Sequence, residues 1–132
     1  MASFKAPASK SQSPPVVLVV EDDPLLRMMT AEGLTDSGFT VIEAEDADEA
    51  VRLLETRADI RVVYTDVEMP GSMDGLKLAA LVRDRWPPVE IIVTSGKHTP
   101  EINQLPQRSL FFPKPTDFMV IAKTIREFCS AP

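Results

Sequence analysis

Carboxylates gather at two places in the chain, and at both they follow directly on an apolar run. Val16-Val17-Leu18-Val19-Val20 leads into Glu21-Asp22-Asp23, and Val62-Val63-Tyr64 leads into Asp66 and Glu68. A run that is apolar at every position and rich in β-branched residues suits a central parallel strand covered on both faces. In an open α/β sheet, ligands bind beyond the carboxyl ends of such strands, where the strand order reverses. Glu21, Asp22 and Asp66 are therefore expected to converge. Carboxylates held together repel one another, so the group either takes up protons at raised pKa values or holds a cation. An oxygen-only set completed by water suits Mg²⁺ better than Ca²⁺. The plainer alternative is a solvated acidic loop that caps helix N-termini, and it is the reading adopted for Asp23 and Asp46, each of which precedes a helix.

The elements that must position these groups follow in a regular order. Pro24 opens a first helix, for which Leu25, Met28, Met29 and Leu34 supply an apolar stripe, and Ser37-Gly38 closes it. Phe39, Val41 and Ala44 alternate with polar residues, as in an edge strand. A second helix carries Ala47, Ala50, Val51, Leu54 and Ala58 at helical spacing. The third strand, from about Arg61 to Thr65, delivers Asp66, and a turn over 69–75 leads to a helix bearing Leu78, Ala79, Val82 and Trp86 until Pro87-Pro88 stop it. Ile91-Ile92-Val93 make a fourth strand ending in Thr94-Ser95-Gly96. Pro100 and Pro106 then leave space for no more than a short or 3₁₀ turn. Leu110-Phe111-Phe112 form a fifth strand before Pro113-Lys114-Pro115, and Phe118, Ile121, Ala122, Ile125, Phe128 and Cys129 recur at spacings of three and four in a last helix.

Five strands alternating with helices predict an α/β fold: a doubly wound, five-stranded parallel sheet of order 2-1-3-4-5 with a shortened or irregular fourth helix. That order sets strands 1 and 3 side by side and brings Ser95 and Lys114 to the rim of the acidic cup. The 132 residues and 44% hydrophobic content suit one domain, read as a unit over 15–130 behind a disordered tail over 1–14 rich in Ser, Pro, Ala and Lys. The net charge of -6, from 20 acidic against 14 basic residues, speaks against nucleic acid or an anionic membrane and for a protein partner. Val16 to Val20 is the longest apolar run of that region and is too short for a signal peptide or a span, so a soluble, cytoplasmic protein is expected. Cys129 is the single cysteine, which excludes an internal disulfide; it is read as packing, and the single His98 as solvated, so the two are not taken as a nucleophile and its base.

Val20-Glu21-Asp22-Asp23-Pro24, Asp66-Val67-Glu68-Met69-Pro70 with Asp74-Gly75, Thr94-Ser95-Gly96 and Lys114-Pro115, in this order and at these separations, resemble the receiver domain of bacterial two-component response regulators, a flavodoxin-like, CheY-like fold. The resemblance implies that Asp66 is the phosphoacceptor and that Glu21, Asp22, Asp66 and the backbone carbonyl of Glu68 hold Mg²⁺. It implies a switch hydroxyl on Ser95, with Thr94 as the second choice, a phosphoryl-contacting Lys114 whose bond to Pro115 is cis, and a switch aromatic at Phe111. Phe111 and Phe112 both also suit ordinary packing. Three departures accompany the match: one residue more than the usual pattern between Pro70 and Gly75, a segment over 97–108 about three residues short, and Glu68 and Lys97 at positions that tune loss of the phosphoryl group.

The expected function is that of a stand-alone receiver, monomeric or weakly dimeric. It would take a phosphoryl group from a histidine kinase or His-phosphotransfer protein and alter its affinity for a downstream protein. A segment of a longer regulator would read the same. It is not expected to be an enzyme beyond Mg²⁺-dependent self-phosphorylation and autodephosphorylation. Rival readings are a phosphorylation-independent interaction module and a small Mg²⁺-dependent aspartyl-phosphate phosphohydrolase, and the latter lacks the usual Asp-x-Asp pair, having Glu68 instead. A flavin-binding protein of the same architecture is disfavoured, because the acidic loop after the first strand would repel a phosphate.

Overall fold

The computed structural model describes residues 13–71, 73–97 and 99–130. The elements are β1 (Val16–Val20), α1 (Pro24–Asp36), β2 (Thr40–Ala44), α2 (Ala47–Thr56), β3 (Ile60–Asp66), α3 (Gly75–Arg85), β4 (Glu90–Ser95), a 3₁₀ turn (Ile102–Gln104), β5 (Ser109–Pro113) and α4 (Phe118–Ser130). All neighbouring strands are parallel, in the order β2-β1-β3-β4-β5. The expected α/β topology is therefore present. The single histidine, His98, and residues 1–12 of the expected tail lie outside the described residues.

Side chains of the central strands alternate between two cores. Leu18, Val20, Val63, Ile91 and Val93 meet Ala50 and Leu54 of α2 and Leu78 and Val82 of α3 on one face. On the other, Val17, Val19, Val62 and Ile92 meet Leu34 of α1 and Ile121 and Ile125 of α4. Each fully buried Leu, Ile or Val contributes about 1.5–3 kcal/mol relative to exposure. This two-sided burial is why β1 and β3 read as unbroken apolar runs, while the edge strand β2 is buried only at Ala44.

Caps set the helix ends that matter here. Asp23 accepts hydrogen bonds from the N–H groups of Leu25 and Leu26 at 2.9 and 3.2 Å, with Pro24 as the first helical residue. Asp46 and Asp74 cap α2 and α3 in the same way, accepting from Glu49 N–H (2.8 Å) and Lys77 N–H (2.9 Å). Gly38, at φ +101°, takes the left-handed turn that releases the chain from α1 into β2.

Two expectations about packing need correction. The stripe assigned to α1 is buried only at Leu34: Leu25 is 59% exposed, Met28 48% and Met29 50%. The first turns of α1 stand beside the end of β1, over the rim of the sheet, so only the later residues Ala31 and Leu34 reach its face. Ala58 lies beyond the end of α2 and is exposed, because the helix stops at Thr56.

The fourth helix is reduced to the turn Ile102–Gln104, and side chains take over the work of holding this connection. Arg83 on α3 donates to the carbonyls of Gln107 (2.7 Å), Pro87 (2.7 Å), Val89 (3.0 Å) and Arg108 (3.1 Å). Arg108 sits at φ 59° and itself donates to Pro87 O. One guanidinium thus ties the α3–β4 turn, through Pro87 O and Val89 O, to the segment that enters β5, through Gln107 O and Arg108 O.

Candidate functional site

Sheet register decides which residues share the rim. Val20 pairs with Thr65, so Glu21 stands level with Asp66. Asp66 pairs with Thr94, and Ser95 pairs with Pro113, one residue before Lys114. Glu21, Asp66, Ser95 and Lys114 thereby emerge at the same end of four adjacent or near-adjacent strands. Lys114 is held there by its own N–H, which donates to Ser95 O at 2.9 Å, and the Lys114-Pro115 bond is cis.

The side chains converge as the sequence predicts. One carboxylate oxygen from each of Glu21, Asp22 and Asp66 lies within 4.8 Å of the others. Glu21 is 6% and Asp66 4% exposed, whereas Asp22 opens to solvent. Lys114 Nζ donates to Glu21 Oε1 and Asp66 Oδ2, each at 3.1 Å. Burial raises the Asp66 pKa above the usual carboxylate range, with Lys114 opposing and the Glu68 charge adding to the rise. Burial likewise raises Glu21, against the Asp23 N–H and Lys114 that favour its charged form. Burial disfavours charge on Lys114, but the hydrogen bonds to Glu21 and Asp66 outweigh it and hold the ammonium above its ordinary value. Three carboxylates against one ammonium leave the cluster electronegative, and an oxygen-only donor set with one solvent-facing member fits a hard divalent cation.

The remaining candidates divide. Ser95, 2% exposed, donates its hydroxyl proton to the Glu68 carboxylate and accepts from Lys97 N–H at 3.2 Å. Thr94 is as deeply buried; its Oγ1 has the Tyr64 hydroxyl nearby but makes no hydrogen bond of good geometry among the described residues. Glu68 N–H reaches Asp66 Oδ1 at 3.4 Å. Half-buried Phe111 packs with Leu105 against the α2–α3 core, and Phe112 packs against the opposite one. Gly75 opens α3 hard against the C-terminal end of β3: a Cβ there would stand 1.8 Å from Asp66 O. Half-buried Cys129 packs against the α1–α4 core, as expected for a structural residue.

Three features escaped the sequence. Tyr64 Oη donates to Thr116 Oγ1 at 3.1 Å and so ties the Asp66 strand to the turn after Lys114. A tyrosine inside an otherwise apolar run was the available signal, since a buried phenol needs a partner. A cavity of about 390 Å³ lies between α1 and that turn, walled by Leu26, Met29, Pro115 and Phe118 with Glu21 and Lys114 at its polar side. The Glu68–Ser95 contact had no sequence signal at all, because it depends on which way a loop side chain turns.

Comparison with known proteins agrees with this geometry. The response regulator receiver domain family matches residues 17–126. The chain is 34% identical over 115 residues to the sensor kinase CckA of Brucella abortus, covering 84% of this chain and 12% of that one. It is 31% identical over 125 residues to the CAI-1 autoinducer sensor kinase/phosphatase CqsS of Vibrio cholerae, covering 90% of this chain and 18% of that one. The chain thus spans less than a fifth of those relatives' length. A response regulator receiver protein from Sinorhizobium medicae shares the fold with a TM-score of 0.82 at 24% identity, over 91% of this chain and 98% of that one. Among the described residues, no helix is long and apolar enough to cross a membrane.

Proposed function

The chain belongs to the response regulator receiver family, and we propose that it is a phosphoacceptor in which Asp66 takes a phosphoryl group from a histidine kinase or His-phosphotransfer protein. The observation that carries this reading is Asp66 itself, 4% exposed at the end of β3, with Lys114 Nζ 3.1 Å from Oδ2 and two more carboxylates alongside. An Asp66 oxygen attacks phosphorus as the P–N bond to the donor imidazole breaks, and the imidazole nitrogen keeps the electron pair. Lys114 offsets the charge shared between Asp66 and the transferred group, and burial restricts water. Glu21, Asp22, Asp66 and the backbone carbonyl of Glu68 are the residues that would hold Mg²⁺. Bound there, the cation supplies electrostatic relief between two anions that otherwise repel.

Exposed Leu25, Met28 and Met29, with the cavity that reaches from Leu26 and Met29 to Lys114, support docking of the protein donor over α1. Ser95 is assigned as the switch hydroxyl and Phe111 as the aromatic that follows it. The consequence is a changed affinity for a downstream protein, in a receiver unit over 15–130 that acts in the cytoplasm as a monomer or weak dimer. Chemistry is limited to self-phosphorylation and autodephosphorylation.

Intact mass after incubation with Mg²⁺ and acetyl phosphate, beside the Asp66→Asn variant, tests the assignment. The expected result is a labile gain of one phosphoryl group in the parent alone. A gain retained in Asp66→Asn would refute the assigned acceptor, and no gain from acetyl phosphate or a panel of histidine kinases would leave a phosphorylation-independent interaction module.

A further inference from the structure

The reading above uses the backbone of Glu68 and leaves its carboxylate without a role. That carboxylate is half-buried and accepts the Ser95 hydroxyl proton. Ser95 is fixed from its other side, since its Oγ accepts from Lys97 N–H at 3.2 Å and the residue is 2% exposed. A hydroxyl has one proton to give. While Glu68 holds it, Ser95 has only lone pairs for any other neighbour, and phosphoryl oxygens on Asp66 are themselves acceptors.

We propose that Glu68 is a positioning residue that holds Ser95 in the resting arrangement, so that a phosphoryl group on Asp66 must win the Ser95 proton from an ionised carboxylate. The inference rests on the phosphoacceptor reading and concerns the switch, not the transfer. A hydrogen bond to a carboxylate is stronger than one to a neutral acceptor, and more so where solvent is scarce. Mere structural support would be served as well by an amide, without the repulsion that the Glu68 charge exerts on Asp66. The like charge gives the device its sense. Adding a phosphoryl dianion to Asp66 increases repulsion on the Glu68 carboxylate. The event that requires Ser95 therefore also loosens the group that holds it.

Beryllofluoride with Mg²⁺, a stable phosphoryl mimic, provides the test in the parent, Glu68→Ala, Ser95→Ala and the double variant, each first checked for cooperative unfolding. The Ser95 side-chain rotamer is read separately by NMR three-bond couplings in the resting parent and in Glu68→Ala. A single rotamer is expected in the parent and averaging in Glu68→Ala. Beryllofluoride should bind about ten-fold more tightly to Glu68→Ala than to the parent, roughly 1.4 kcal/mol, and this gain should vanish when Ser95 is alanine. An equal gain in the Ser95→Ala background would mean simple charge relief and would overturn the proposal, as would an unchanged Ser95 rotamer. No beryllofluoride binding in any variant would overturn it together with the phosphoacceptor reading, whereas binding with an unchanged Ser95 rotamer would overturn the proposal alone.

Discussion

In its proposed role Asp66 must be ionised, yet it stands where burial favours its neutral form. Because the Asp66 and Glu21 pKa values are raised, the folded protein binds their protons more tightly than the unfolded chain does. The metal-free protein therefore gains stability from these groups as pH falls through the window between the raised and the ordinary values, and that gain is absent once both are ionised. Lys114 runs the other way: its raised pKa stabilises the fold below its ordinary value, and the contribution is lost on alkaline titration through the raised one. Asp66→Asn should accordingly remove the cost of an ionised buried carboxylate and flatten the acid limb of the stability profile of the metal-free protein. Urea unfolding across the carboxylate range, without Mg²⁺, measures both effects. Thr94 differs from Ser95 in having a buried hydroxyl without a partner among the described residues. Thr94→Val removes that oxygen at constant shape and should add about 1 kcal/mol of stability while leaving acetyl phosphate uptake intact; a lowered urea midpoint would show that the hydroxyl is paired after all.

At the scale of elements, the site depends on how closely α3 approaches β3. Gly75 N–H donates to Val67 O at 3.0 Å, and Asp74 caps the helix one residue earlier. Gly75→Ala would place a methyl group against Asp66 O, with no flexible side chain to yield. The expected cost is about 1–3 kcal/mol, with Asp66 displaced, so both the denaturation midpoint and phosphoryl uptake should fall. Normal uptake in a Gly75→Ala protein of reduced stability would separate the helix junction from the alignment of the acceptor. The approach to β5 shows the complementary case, in which Arg83 ties Gln107 O and Arg108 O to Pro87 O and Val89 O of the α3–β4 turn.

For the molecule as a whole, polarity is distributed unevenly around the sheet. The C-terminal rim holds the carboxylates and Lys114, and beside it α1 leaves Leu25, Met28 and Met29 open to solvent. Substitutions there touch little of the core, so Met29→Ser and Leu25→Ser should each change stability by no more than about 0.5 kcal/mol. Acetyl phosphate is too small to need that surface, whereas a protein donor docked as proposed would cover it. Uptake from acetyl phosphate should stay unchanged and transfer from a phosphorylated histidine donor should slow several-fold, in a time course with both donors. Equal rates with the protein donor would move its docking site off α1.

The order of the elements, the parallel sheet and the meeting of Glu21, Asp22, Asp66 and Lys114 were legible in the chain, because each follows from local rules. Period-two and fully apolar runs name strands, Asp and Pro mark helix starts, and right-handed crossovers allow few orders. The missing helix was legible too, since Pro100 and Pro106 forbid it whatever surrounds them. The exposure of Leu25 and Met29 was not, because an apolar residue reveals its preference for burial but not whether a sheet lies beneath it. Nor was the turn of Glu68 toward Ser95 or of Tyr64 toward Thr116. Such contacts join residues 27 and 52 positions apart, and only the packed sheet brings them within hydrogen-bond reach.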